Sequence, residues 1–100
     1  MVSTSKENLD RLNSVVEMLK AIAHPVRIGI IDLLEKNGRC SVSEIHTALN
    51  QDQPVISHHL SIMKSKNVVD CDKEGKHCFY YLKHENFSKV LSKIEECQTC

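Results

Sequence analysis

Five cysteines and six histidines are the most reactive side chains of this 100-residue chain, and their spacing sorts them. Cys97 and Cys100 stand three apart, so on a helix they share a face, where two thiolates suit Zn²⁺ or another borderline-soft ion. The same C-x-x-C pair closes a disulfide where a helix frays, which makes thiol redox chemistry the competing use. Cys71 and Cys78 face each other across a hairpin if its turn is the two residues Glu74-Gly75, although ordinary reduced thiols are the plainer reading. Cys40 reads as a small residue at a helix boundary and His46 as an exposed side chain.

A second constellation has binding rather than bond-making chemistry. In Gln53-Pro54-Val55-Ile56-Ser57-His58-His59-Leu60, Gln53 offers an amide to a base edge, Ser57 a small hydroxyl, and His58 a donor to a base or phosphate. Val55 and His59 complete this candidate reading surface, while Ile56 and Leu60 anchor it from behind. Farther along, Lys73, Lys76 and His77 cluster where a hairpin tip could neutralise phosphates.

These residues need elements to position them. Leu9, Leu12, Val16 and Leu19 recur three and four apart and predict a helix over 6–23, ended by His24-Pro25. Pro25 opens a second helix over 25–36, which Asn37-Gly38 stops. Ser41 and Glu44 have capping-box spacing and predict a short helix over 42–49 with Val42, Ile45 and Leu49 inward. After a polar turn, Ile56, Leu60 and Met63 mark a fourth helix to about Ser65, so two short helices form a helix-turn-helix candidate. Val68-Val69 and Cys78-Phe79-Tyr80-Tyr81 favour strands around the turn 72–76, and Phe87, Val90, Leu91 and Ile94 return to helical spacing.

The expected architecture is mainly α with a β-hairpin wing: a winged helix-turn-helix in the order α-α-α-α-β-β-α, one domain over residues 1–100. The stripes Leu9, Leu12, Val16, Leu19 and Phe87, Val90, Leu91, Ile94 suggest pairing of two subunits through the first and last helices, with core packing inside one subunit accounting for part of each. Hydrophobic residues at 41% and charged residues at 26% belong to a folded soluble protein. The polar start and the lack of any membrane-length apolar run lead to the expectation of a cytoplasmic protein with no membrane partner. Formal net charge is zero, which excludes attachment to DNA by bulk charge alone; residues 53–83 are nonetheless mildly basic. A thiol–disulfide enzyme normally carries C-x-x-C at the start of a helix after a strand, so no enzyme is expected. A winged helix that contacts protein would more often expose apolar anchors on its fourth helix.

Three segments, Leu19-Lys20-Ala21-Ile22-Ala23-His24-Pro25-Val26-Arg27, Gln53 to Leu60, and Gly75-Lys76-His77-Cys78-Phe79-Tyr80-Tyr81-Leu82, together resemble the ArsR/SmtB family of bacterial repressors in order and spacing. The resemblance implies a homodimer whose paired recognition helices read a roughly palindromic double-stranded operator, with repression relieved by an effector. The family's cysteine site at the third helix is not matched, because Ser41 and Ser43 stand where thiols would be needed. A second family site, between paired last helices, maps onto His84 and Asn86 and onto Cys97 and Cys100. Asn86 is a poor ligand there, so Glu85 or water would complete a site formed by His84, Cys97 and Cys100. Zinc or another transition metal, a redox signal, and no cofactor at all therefore stay open.

Overall fold

The computed structural model describes residues 6–84. Along them run α1 (Lys6–Ile22), α2 (Pro25–Asn37), β1 (Arg39–Ser41), α3 (Val42–Leu49), α4 (Gln53–Ser65), β2 (Val69–Glu74) and β3 (His77–Leu82). The final helix expected from Phe87, Val90, Leu91 and Ile94 lies outside the described residues, as do Cys97 and Cys100.

Local chemistry explains most boundaries. The extended backbone of His24 caps α2, its Nδ1 accepting the Val26 N–H at 3.1 Å, and Pro25 follows where a missing donor costs nothing. Gly38, at φ 84, ends the helix and returns its N–H to the Leu34 carbonyl at 2.8 Å. The expected capping box is present: the Glu44 N–H donates to Ser41 Oγ at 3.2 Å, and the Ser41 N–H donates to Glu44 Oε1 at 3.0 Å. The Ser41 backbone N–H, and after it the Ser41 hydroxyl, hold the Glu44 carboxyl below its ordinary range, because a donor to the carboxylate favours its charged form. Asn50 turns the chain from α3 toward α4 in the left-handed conformation, at φ 53, which asparagine tolerates better than most residues.

The core is one cluster that includes Ile30, Ile31 and Leu34 of α2, Ile45 of α3, Ile56, Leu60 and Met63 of α4, and Val68 and Val69 entering β2. Cys40 is fully buried beside them and accepts a long contact from Asn37 Nδ2 at 3.6 Å, as suits a small residue at an element boundary. His46 is half-buried rather than exposed.

The sheet differs from expectation in two ways. A three-residue strand, β1, joins the hairpin, giving a three-stranded antiparallel sheet in the order β1-β3-β2. The turn is Gly75-Lys76, not Glu74-Gly75: Glu74 pairs with His77, and Gly75 alone of the two turn residues has positive φ, at 62, the sign pattern of a type II′ hairpin. That one-residue shift places Cys71 opposite Tyr80 and Cys78 opposite Lys73, so the two cysteines are not cross-strand partners. Both are free thiols.

Replacing Ser41 by Ala removes the acceptor for the Glu44 N–H and should cost about 1 kcal/mol of stability, read as a lowered midpoint of urea unfolding with an unchanged slope.

Candidate nucleic-acid interface

Helix α4 divides sharply between a buried and an exposed face. Ile56, Leu60 and Met63 have no solvent exposure, whereas Gln53, Val55, Ser57, His58 and Ser61 are exposed. Side chains at i, i+3 and i+4 share a side of a helix, so fixing the apolar row turns Gln53, Ser57 and Ser61 outward together. The Asp52 side chain makes no capping hydrogen bond, so it satisfies none of the first backbone donors of α4.

His59 is the correction to the expected reading surface. Its side chain is 8% exposed and belongs to the scaffold: His59 Nδ1 accepts from Arg27 Nε at 3.1 Å, and its ring packs 4.5 Å from that of His24 and 5.8 Å from that of His58. Desolvation, followed by the neighbouring His24, Arg27 and His58, pushes the His59 imidazole below its ordinary pKa. The partner Arg27 lies 32 residues earlier, and no local spacing signals the pairing.

The hairpin stands beside α4 with two chemically different faces. Residues opposite each other across a sheet point the same way, so Asp70, Asp72 and Glu74 share a face with Tyr81, Phe79 and His77. Cys71 and Lys73 share the other with Tyr80 and Cys78. Lys64 at the end of α4 donates to Cys71 Sγ at 3.4 Å and links that face to the helix. The hydrogen bond to Cys71 raises the Lys64 pKa.

The three acids would repel a phosphate backbone, and one side chain that sequence inspection passed over answers two of them. Arg39, on β1, places Nη2 2.9 Å from Glu74 and Nη1 3.9 Å from Asp72, with its guanidinium 4.6 Å from the centre of the Phe79 ring. The signal was hidden because β1 itself was not anticipated. Lys73, Lys76 and His77 are all exposed, and Lys76 and His77 line a cleft of about 220 Å³ with Ser41, Ser43 and Gln53. The cleft thus joins the hairpin turn to the start of α4.

The remaining site candidates separate. His84 is within the described chain and exposed, but its partners Cys97 and Cys100 lie outside it, and no cluster of three metal-binding side chains occurs among the described residues. Leu9, Leu12, Val16 and Leu19 form an exposed apolar row on α1, between 44% and 52% accessible, with Val15 beside them at 45%. That exceeds the scattered exposure usual for single surface hydrophobes. Among the described residues no helix is long and apolar enough to cross a membrane.

Two short helices joined by a tight turn, the second with a polar outer face, and a hairpin at its flank define a winged helix-turn-helix DNA-binding fold. A family model described as bacterial regulatory protein, arsR family, matches residues 24–70. The chain is 34% identical over 88 residues to an uncharacterized HTH-type transcriptional regulator of Methanocaldococcus jannaschii, covering 88% of this chain and 99% of that protein. It is 32% identical over 85 residues to the arsenical resistance operon repressor of Escherichia coli, covering 85% and 73%. A solved homodimeric winged helix-turn-helix DNA-binding domain from Mycobacterium bovis superposes with a TM-score of 0.82 at 26% identity, over 99% of this chain and 91% of that one. The chain belongs to the ArsR family of transcriptional regulators, and it is a regulator rather than an enzyme.

Arg39→Ala leaves Asp72 and Glu74 uncompensated and should weaken duplex binding at low salt by about 1 kcal/mol, the scale of one contact-distance charge pair in water. Adding Asp72→Asn and Glu74→Gln should restore most of the loss; failure to restore it in a filter-binding assay would show that Arg39 contacts DNA itself.

Proposed function

We propose that this protein is a homodimeric repressor that reads a two-fold operator with Gln53, Val55, Ser57 and His58 of α4 while Lys73, Lys76 and His77 hold adjacent phosphates. One observation carries the reading: the polar opening of α4 and the cationic hairpin turn border the same cleft, with Gln53 on one side and Lys76 and His77 on the other. A helix entering the major groove needs hydrogen-bonding groups outward, and a flanking hairpin needs cations for the backbone. In this reading His59 supports the surface from inside and does not touch DNA.

Dimerisation follows from the exposed row on α1. Five large apolar side chains left between 44% and 52% accessible would gain by burial against a second copy, and two recognition helices related by a two-fold axis match a palindromic operator. The solved relative from Mycobacterium bovis is described as homodimeric. Phe87, Val90, Leu91 and Ile94, whose spacing alone predicts a helix, belong to the same proposed partner surface.

The effector belongs to the same proposal. His84, Cys97 and Cys100 offer one imidazole and two thiols, a donor set suited to zinc or another transition metal, while the C-x-x-C spacing equally supports a redox signal. Either effector would act by favouring a dimer geometry in which the two α4 helices no longer match successive major grooves; a coupling of about 1 to 3 kcal/mol is enough to change affinity roughly 5- to 150-fold. A single regulatory domain working in the cytoplasm completes the reading.

Ser57→Ala and His58→Ala should each lower affinity for the selected operator by about 1–3 kcal/mol without altering the thermal midpoint; full affinity in both, measured by fluorescence anisotropy, removes α4 from the groove. Leu12→Glu should convert the protein to a folded monomer in sedimentation equilibrium, whereas an unchanged mass would place the subunit contact elsewhere.

A further inference from the structure

Arg27 does more than pair with His59. Its Nε donates to His59 Nδ1 at 3.1 Å while its Nη1 donates to the Ala21 carbonyl, also at 3.1 Å. One guanidinium therefore ties the C-terminal end of α1 and the first turn of α2 to the middle of α4. The anchor point on α4 is next to His58 and two residues from Ser57, the side chains that face outward. Arginine has no acceptor and stays charged, so the bond exists only while His59 Nδ1 carries no proton.

We propose that Arg27 and His59 are positioning residues for the DNA-reading face of α4, and that protonation of His59 releases the helix from Arg27 and weakens duplex binding. The inference rests on α4 being the reading helix, as proposed above. A protonated His59 turns Nδ1 from acceptor to donor and sets two cations 3.1 Å apart with little solvent between them.

The surroundings make that state costly from every described side. The charged and titratable groups facing His59 are His24 and Arg27 from the start of α2 and His58 from its own helix; α1 contributes the Ala21 carbonyl, already taken by Arg27, and no carboxylate is among them. All three neighbours oppose a positive charge on the ring, as does its burial. His59 thus has a folded-state pKa below its unfolded value of about 6.5. The stability it contributes is complete above that unfolded value and is lost as pH falls through the lower folded one. Binding to DNA requires the neutral, anchored form, so the same sign applies to affinity.

The test measures the pH dependence of binding to a duplex selected by the protein from a random-sequence pool, for the wild type and for His59→Asn. Asparagine sets a carbonyl oxygen near the place of Nδ1, so it keeps an acceptor for Arg27 and removes the titration. His59→Ala should lose about tenfold in affinity at pH 7.5, and His59→Asn should recover most of it. Between pH 7.5 and 5.5 the wild type should lose affinity relative to His59→Asn by about threefold or more. Independently of variants, the His59 ring protons followed by NMR in the wild type should titrate at lower pH in the DNA complex than in the free protein. Parallel binding profiles, or a His59 titration that DNA leaves unmoved or raises, overturn this inference while leaving the reading helix in place. Failure of the wild type to select any duplex overturns the reading on which it stands.

Discussion

A thirteen-residue helix that buries Ile56, Leu60 and Met63 completely cannot rotate about its axis, since a shift of one residue turns it by roughly 100° and would bring polar side chains into the core. That seating of α4 is what every outward side chain depends on. With the apolar row fixed against α2 and α3, Gln53, Ser57 and Ser61 have one direction available to them. The hairpin then needs only to stand at the flank, which its sheet with β1 and the Lys64–Cys71 contact provide. Function here is a matter of which face a helix is compelled to expose.

The polar contacts refine what burial establishes. Arg27 reaches from α2 to α1 and α4, and Lys66 at the end of α4 pairs with Glu17 of α1 at 3.3 Å. The second pair is exposed and contributes little to stability, whereas the first surrounds a buried ring and so has more influence on geometry. The Arg39 contacts on the hairpin's outer face act differently again. They answer two carboxylates on an element whose neighbouring residues are cationic, and they join β1 to β2 across the sheet. A formal net charge of zero is therefore compatible with a hairpin that exposes Lys73 and Lys76 while Arg39 answers two of its acids.

Much of this was legible in the residues themselves. Helical periodicity, the His24-Pro25 break, Asn37-Gly38 and the Ser41–Glu44 box located the helix boundaries to within a residue or two, because each signal is local. β1 was missed because three residues are too few to show an alternation, and Ser41 had already been spent on a cap. The hairpin register depends on a point of turn chemistry: a type I′ turn at Glu74-Gly75 needs positive φ at Glu74, whereas Gly75-Lys76 needs it only at Gly75, and the choice changes which residues the two cysteines face. His59 looked outward because its neighbour His58 does; only a partner 32 residues away, Arg27, makes a buried imidazole tolerable. Pairings between distant residues are set by the finished packing, and the alphabet of a single segment does not carry them.

The outward side chains of α4 are proposed to lie in a duplex groove. Intermolecular NMR contacts between isotope-labelled protein and an unlabelled selected duplex test it directly. Contacts are expected from Gln53, Val55, Ser57 and His58 to base protons of the major groove, and from Lys76 to the sugar-phosphate backbone, with none from Ile56 or Leu60. Contacts confined to α1, or base contacts from the hairpin with α4 silent, would contradict it.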